Sequence, residues 1–378
     1  MNQFVIWSLE ELNKNGFEIT LLCDMDEKFI KSMPAYVNCI NVPMTRGIDF
    51  IGSIMAIMRM YRIFKKEKFN LVQYSTPNAS MYASIASWLA RVPIRLYCQW
   101  GIIYVGMSGI KRRIFKAIEK LVCSFSTDIQ PDSHGNLNFS RVEKLYSEER
   151  SRVVWNGSAS GLDLDKFDYL KKEKFNSEIR KKYKIPSDAV VIGFLGRVGK
   201  EKGFDELITA FISIKEKYKN VKLLFVGPNE KPKTVSPNLL KWFENSSDVI
   251  KIGWTDQTEK YLSAMDMFVF PSYREGFGNV VIEAEAMAIP VIATDIPGPQ
   301  NGLVDGVTGY LVPKQTVNPL IEKIEELISN KLLREQMGQS GRKYVKENFD
   351  NQILLKHIIE NRNWLFERNS PSHIKYGK

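Results

Sequence analysis

The sequence predicts an α/β protein built from two doubly wound, Rossmann-like domains. Apolar β-branched runs alternate with amphipathic segments along the whole chain, the pattern of parallel sheets covered by helices on both faces. Its 378 residues leave room for two cores. Between Asn156 and Ile185 the pattern breaks: Gly157, Gly161 and the charged run Lys171–Lys174, followed by Pro186, read as a linker. The expected division is residues 1–160 for the first domain, 161–186 for the linker and 187–349 for the second domain. A helix over about 350–378 is expected to return to the first domain.

The elements follow in order. Asn2–Asn15 reads as a helix, with Phe4, Val5, Trp7, Leu9 and Leu12 apolar and Gly16 as its stop. Strands are predicted at Glu18–Cys23, Leu71–Tyr74, Ile94–Cys98 and Val153–Trp155, then at Val190–Leu195, Leu223–Val226, Met267–Phe270 and Val291–Ala293. Helices are predicted at Gly52–Lys66, Lys111–Cys123, Asp205–Tyr218, Val280–Ala288, Pro319–Leu327 and Ile353–Phe366.

Composition narrows the function classes. Hydrophobic residues at 44% and charged residues at 25% suit packed cores rather than disorder. Four scattered cysteines and three histidines offer neither a disulfide framework nor a His-rich metal site. With no signal peptide and no membrane-length apolar run, the expected location is cytoplasmic. The net charge of +10 is local. Residues 59–120 hold twelve basic residues and two acidic ones, so the remainder is neutral. The helix at Lys111-Arg112-Arg113-Ile114-Phe115-Lys116 is basic and amphipathic, which points to an anionic partner such as a phosphate-bearing lipid surface. Charge alone would also admit nucleic acid, but no nucleic-acid motif is present.

Two motifs carry chemistry. The strand Val190–Leu195 runs into Gly196-Arg197-Val198-Gly199-Lys200-Glu201-Lys202-Gly203 and then a helix. Ligands of doubly wound domains bind beyond the carboxyl ends of the strands. Glycines there admit a ligand to the backbone, and Arg197 and Lys202 add charge beside a helix N-terminus, which together describe a diphosphate site. The second motif is Pro271-Ser272-Tyr273-Arg274-Glu275-Gly276-Phe277-Gly278-Asn279, leading into a helix that bears Glu283. Glu275 lies in the loop, and Glu283 lies one turn into the helix on the face of Asn279. Carboxylates accept well from sugar hydroxyls, so the pair is placed to grip two hydroxyl-bearing parts of one ligand.

This combination resembles the retaining nucleotide-sugar glycosyltransferases of glycosyltransferase family 4, with the GT-B fold of two domains facing a cleft. Gly157…Gly161-Leu162-Asp163-Leu164-Asp165-Lys166-Phe167 and Asp305-Gly306-Val307-Thr308-Gly309-Tyr310 match as well. Within the family the likeness is to bacterial enzymes of capsule, O-antigen and lipid-linked glycan synthesis. The resemblance implies that Arg197 and Lys202 bind the donor diphosphate, with Gly196 at the same turn. It implies that Glu275 holds the donor sugar, that the amides of Gly276, Phe277 and Gly278 and the helix start at Asn279 line it, and that Glu283 holds the ribose. The base would lie near Ile252-Gly253-Trp254. The implied donor is a UDP-hexose or UDP-N-acetylhexosamine, the acceptor a lipid-linked glycan or polysaccharide. No cofactor or metal is expected, and the enzyme would sit peripherally on the inner face of the plasma membrane.

Several positions depart from the family pattern. Asn301 and Ile289 stand where an acidic residue and a glycine are usual, and Gln99-Trp100-Gly101 stands in place of His-Gly. His134 is then the remaining catalytic candidate of the first domain. No strand precedes the first helix, so the central first strand of the N-terminal domain is expected to be missing. These departures keep a second reading open, a nucleotide-sugar-binding homologue with weak or no turnover.

Overall fold

The computed structural model describes residues 6–44, 50–228 and 232–369. It divides into two compact units, residues 1–160 with 352–378, and residues 161–351.

The second unit is a six-stranded parallel sheet formed by β6 (Val190–Leu195), β7 (Val221–Val226), β8 (Val249–Ile252), β9 (Met267–Phe270), β10 (Val291–Thr294) and β11 (Gly309–Val312). The strand order is β11-β10-β9-β6-β7-β8. Chain order therefore reverses beside β6, the switch point of a doubly wound sheet. Val191, Phe194, Leu223, Leu224, Phe268 and Val269 are buried, since a parallel sheet is covered on both faces. Helix α8 (Phe204–Lys217) buries Phe204, Leu207, Ile208, Phe211 and Ile214, one stripe at helical spacing. Such burial is worth roughly 1.5–3 kcal/mol for each large apolar side chain.

The first unit contains α1 (Trp7–Lys14), β1 (Ile19–Cys23), α2 (Glu27–Ser32), β2 (Val37–Asn41), α3 (Phe50–Glu67), β3 (Leu71–Tyr74), α4 (Pro77–Leu89), β4 (Ile94–Gln99), α5 (Gly109–Phe125), β5 (Asp128–Pro131) and α6 (His134–Val142). Its described strands are all parallel and form two separate sheets, β1-β2 and β3-β4-β5. The C-terminal helix α15 (Asn351–Arg368) belongs to this unit from residue 352 on. Leu365, Trp364 and Phe366 pack with Ile94, Leu96 and Cys98, while Arg362 donates to Gln73 and Gln130.

Two expectations are corrected. Val153–Trp155 is not a strand: the chain turns there, with φ of 50° at Trp155 and 91° at Gly157, and the Trp155 ring stacks on His357. Residues 161–186 are not a linker but part of the second unit. They include α7 (Lys172–Lys182), whose charged residues are mostly solvated while Ile179 enters the core and Arg180 pairs with Asp266 at 2.8 Å. Of the expected N-terminal helix, residues 1–5 lie outside the described residues.

Candidate active site

The candidate site lies at the carboxyl ends of β6, β8 and β9. After β6 the chain passes Gly196 and Arg197 into a 3-10 turn, Lys200–Lys202, and enters α8 through Gly203 at φ 70°. Glycine is required at 203. A Cβ there would lie 2.0 Å from the carbonyl oxygen of Pro271, so this turn presses on the loop that follows β9.

One main-chain bond, one side-chain-to-main-chain bond and one ion pair join these loops. The carbonyl of Glu201 accepts from Tyr273 N at 2.9 Å and from Ser272 Oγ at 3.1 Å. Lys202 Nζ donates to Glu275 Oε1 at 2.6 Å, and Ser272 Oγ approaches the same oxygen at 2.6 Å. Arg197 is about half exposed and paired with Glu201. The loop then passes buried Phe277, which packs edge-on against Phe349 at 5.2 Å, and Gly278 at φ 84° opens α11 (Asn279–Ala286). A helix N-terminus favours an anion.

Glu283 projects from the second turn of α11. Thr258 Oγ1 donates to its Oε2 at 3.3 Å. Burial pushes its carboxyl up to about 7, against the pull of Lys166. A concavity lined by Phe225, Gly227, Phe243, Lys251, Ile252 and Gly253 lies beside the ends of β7 and β8.

Of the residues singled out in the sequence, the structure brings Lys202 and Glu275 into contact and places Arg197, Gly196, Gly276, Phe277, Gly278, Asn279 and Glu283 on loops and a helix start of one unit. Gly253 follows β8 at the edge of the concavity. His134 lies in the other unit, exposed at the first turn of α6, whose N-terminus is capped by Ser133. Gln99, of the Gln99-Trp100-Gly101 stretch, is fully buried. Its Nε2 donates to Glu119 at 2.6 Å and its Oε1 accepts from Tyr146 and Ser140, so it serves the core. Sequence reasoning gave no role to Glu201, Ser272, Thr258 or Lys166. Only the i,i+4 spacing of Arg197 and Glu201 signalled their pairing.

The fold is that of the GT-B glycosyltransferases. A solved structure of HepE from Anabaena in complex with UDP and glucose superposes with a TM-score of 0.75 over 94% of this chain and 95% of that one, at 16% identity. The Glycosyl transferases group 1 family matches residues 175–344, and the Glycosyl transferase 4-like family matches residues 2–133. The capsular polysaccharide biosynthesis glycosyltransferase CapM of Staphylococcus aureus is 32% identical over 351 residues, covering 93% of this chain and 90% of the relative. An Escherichia coli relative, UDP-Gal:alpha-D-GlcNAc-diphosphoundecaprenol alpha-1,3-galactosyltransferase, is 22% identical over 86% of this chain and 83% of its own length. The chain belongs to this glycosyltransferase family, of the family 4 type, and is a glycosyltransferase.

Proposed function

We propose that the protein transfers a hexose or N-acetylhexosamine from UDP to a lipid-linked glycan or polysaccharide in bacterial surface glycan synthesis, with retention of anomeric configuration. The observation that carries this reading is the joining of the Lys202 and Glu275 loops through the Glu201 carbonyl, the Gly203 contact and the 2.6 Å ion pair. Arg197 and Lys202 supply the positive charge that a departing nucleoside diphosphate requires, in place of a metal ion. Glu275 accepts from donor-sugar hydroxyls, the 276–278 amides line sugar and phosphate, Glu283 accepts from the ribose, and the base lies by Gly253. His134 is the candidate group on the acceptor side. The UDP choice is supported by the ligands named for HepE and the donor named for the Escherichia coli relative, and the lipid-linked acceptor by that relative's name.

The acceptor class is also supported by the surface of the first unit. Helix α4 packs beside both α3 and α5. Ile51 and Ile54 of α3 and Ile110 and Ile114 of α5 are each more than half exposed, and Trp88 of α4 is about half exposed. Exposed Arg59, Arg62, Lys111, Arg113 and Lys120 flank them. Apolar side chains amid unpaired-sign basic charge suit peripheral contact with an anionic bilayer. Among the described residues no helix is long and apolar enough to cross one.

The test is a thermal-shift screen of UDP- and GDP-sugars, followed by turnover with undecaprenyl-diphosphate-linked acceptors in buffer containing EDTA. A shift with a UDP-sugar, chelator-resistant transfer and an α-linked product from an α-linked donor are expected. A shift without transfer to any such acceptor would favour the binding homologue. No shift with any UDP-sugar would end the donor assignment.

A further inference from the structure

The course of residues 161–167 is fixed at three points. Leu162 N donates to the carbonyl of Phe349 at 2.7 Å, and Asn351 N donates to the carbonyl of Leu162 at 3.0 Å. Asp163 Oδ1 accepts from the amides of Asp165 and Lys166, both at 3.0 Å, so the carboxylate turns the chain. Phe167 then enters the core of the second unit. Lys166 is held between these points, and its side chain reaches residues far along the chain. Its Nζ donates to the carbonyl of Asp256 at 2.7 Å. A lysine stem is flexible, and this bond gives its charge a fixed place.

Asp256 lies in the loop between β8 and α10 (Thr258–Ser263). The first two residues of α10 meet two carboxylates and one ammonium. Glu259 Oε2 lies 3.9 Å from Lys166 Nζ and is buried without a hydrogen-bond partner. Thr258 Oγ1 donates to Glu283 at 3.3 Å. Glu283 therefore has three named neighbours that bear on its charge. Burial raises its carboxyl most, Lys166 and Thr258 draw it down, and Glu259 pushes it up. Glu259 is buried, whereas Glu283 keeps part of its surface open to a ligand.

We propose that Lys166 is a positioning residue for the nucleotide: held by the Asp256 carbonyl, its ammonium sits against Glu259 and favours the carboxylate form of Glu283, the form that accepts from the ribose. The inference rests on the assignment of Glu283 to the ribose. Lys166 acts through Glu283 and needs no contact with the donor. Two carboxylates in a poorly solvated place repel, and a cation beside them offsets that repulsion. Without the ammonium the proton stays on Glu283. A protonated carboxyl turns one of its two acceptor oxygens into a donor, so a ribose hydroxyl loses a partner.

Two measurements test it. In donor-free protein labelled at glutamate, the Glu283 carboxyl carbon is followed against pH by NMR and identified by its loss in Glu283→Gln. Lys166→Met is expected to move its midpoint upward by about one pH unit. Lys166→Gln, which keeps a donor for the Asp256 carbonyl but no charge, is expected to do the same, and Lys166→Arg to stay near the parent. UDP affinity by calorimetry is expected to follow. At about pH 7 it falls about fivefold in the Met and Gln variants, and at about pH 9 it matches the parent. Lys166→Arg binds as the parent does throughout. An unmoved Glu283 midpoint in the Met and Gln variants overturns the proposal, and so does UDP binding weakened equally at every pH. Parent-like UDP binding by Glu283→Gln at every pH removes the ribose assignment instead. The donor-free titration then decides by itself whether Lys166 governs that carboxylate.

Discussion

Lys202 Nζ meets Glu275 Oε1 at 2.6 Å, an ion pair between groups 73 residues apart in the chain. Both side chains are largely buried, so loss of either leaves the other's charge unpaired. Lys202→Ala and Glu275→Ala are each expected to lower turnover by about ten- to a hundredfold or more, the effect of losing roughly 1.5–3 kcal/mol of charge-assisted bonding in the transition state. Circular-dichroism spectra are expected to keep the parent's shape, with melts lowered by the buried charge left unpaired. Parent-like rates in either variant would remove that residue from the site.

Gly203→Ala tests the packing between the loops rather than their charge. An alanine at φ 70° with its Cβ 2.0 Å from Pro271 O must move one loop. The strain alone is about 1–3 kcal/mol, and a unit of this size loses roughly 2–4 °C of melting temperature per kcal/mol. A melt lowered by several degrees, with weakened binding of UDP-glucose, is expected. An unchanged melt and affinity would show that the loops need not touch.

Glu283 gives the site a pH signature. Burial favours its neutral form and raises its carboxyl from the ordinary 4.5 to about 7. This proton affinity stabilises the folded chain fully below pH 4.5, and the contribution is lost as pH rises toward 7. Donor binding should run the other way, because ribose hydroxyls donate best to the ionised carboxylate. UDP-glucose affinity measured by calorimetry is expected to rise with pH up to about 7, with proton release on binding, and Glu283→Gln is expected to abolish that rise. An unaltered pH profile in the variant would place the ribose elsewhere.

The basic helix contains two kinds of cation. Arg112 and Lys116 both pair with Glu143, at 2.8 and 2.7 Å, and hold its carboxyl below its ordinary range. Lys111, Arg113 and Lys120 are exposed. Changing those three to Glu is expected to release the protein from phosphatidylglycerol vesicles, as raised salt should, while leaving the melt unchanged. Undiminished co-sedimentation of the triple variant would reject bilayer contact through α5.

The second unit was legible because its strands are apolar on both faces. Val190–Leu195 and Met267–Phe270 coincide with the observed strands, and the glycines around Glu275 marked the turn into α11. Strands with polar or turn-forming residues gave no such signal. Val37–Asn41 carries two asparagines, and Asp128–Pro131 has a polar residue at its first and third positions and proline at its last. Residues 161–186 misled because charge and glycine mark loops, while the few residues that anchor them, Leu162, Phe167, Ile179 and Ile185, are spaced too widely to form a run. At the candidate site, residue types and order singled out Lys202 and Glu275, which the structure brings into contact, and Glu283. The service of Glu201 through its carbonyl had no sequence signature, because any residue supplies that atom.

That carbonyl limits how the 271–278 loop can be exchanged. Exchanging residues 271–278 for the loop of a relative would import a segment whose first contacts are made to the backbone at 201, whose geometry is set by the turn at 200–203. A chimera that carries both stretches preserves the joint, whereas one that carries either stretch alone inherits half a hinge.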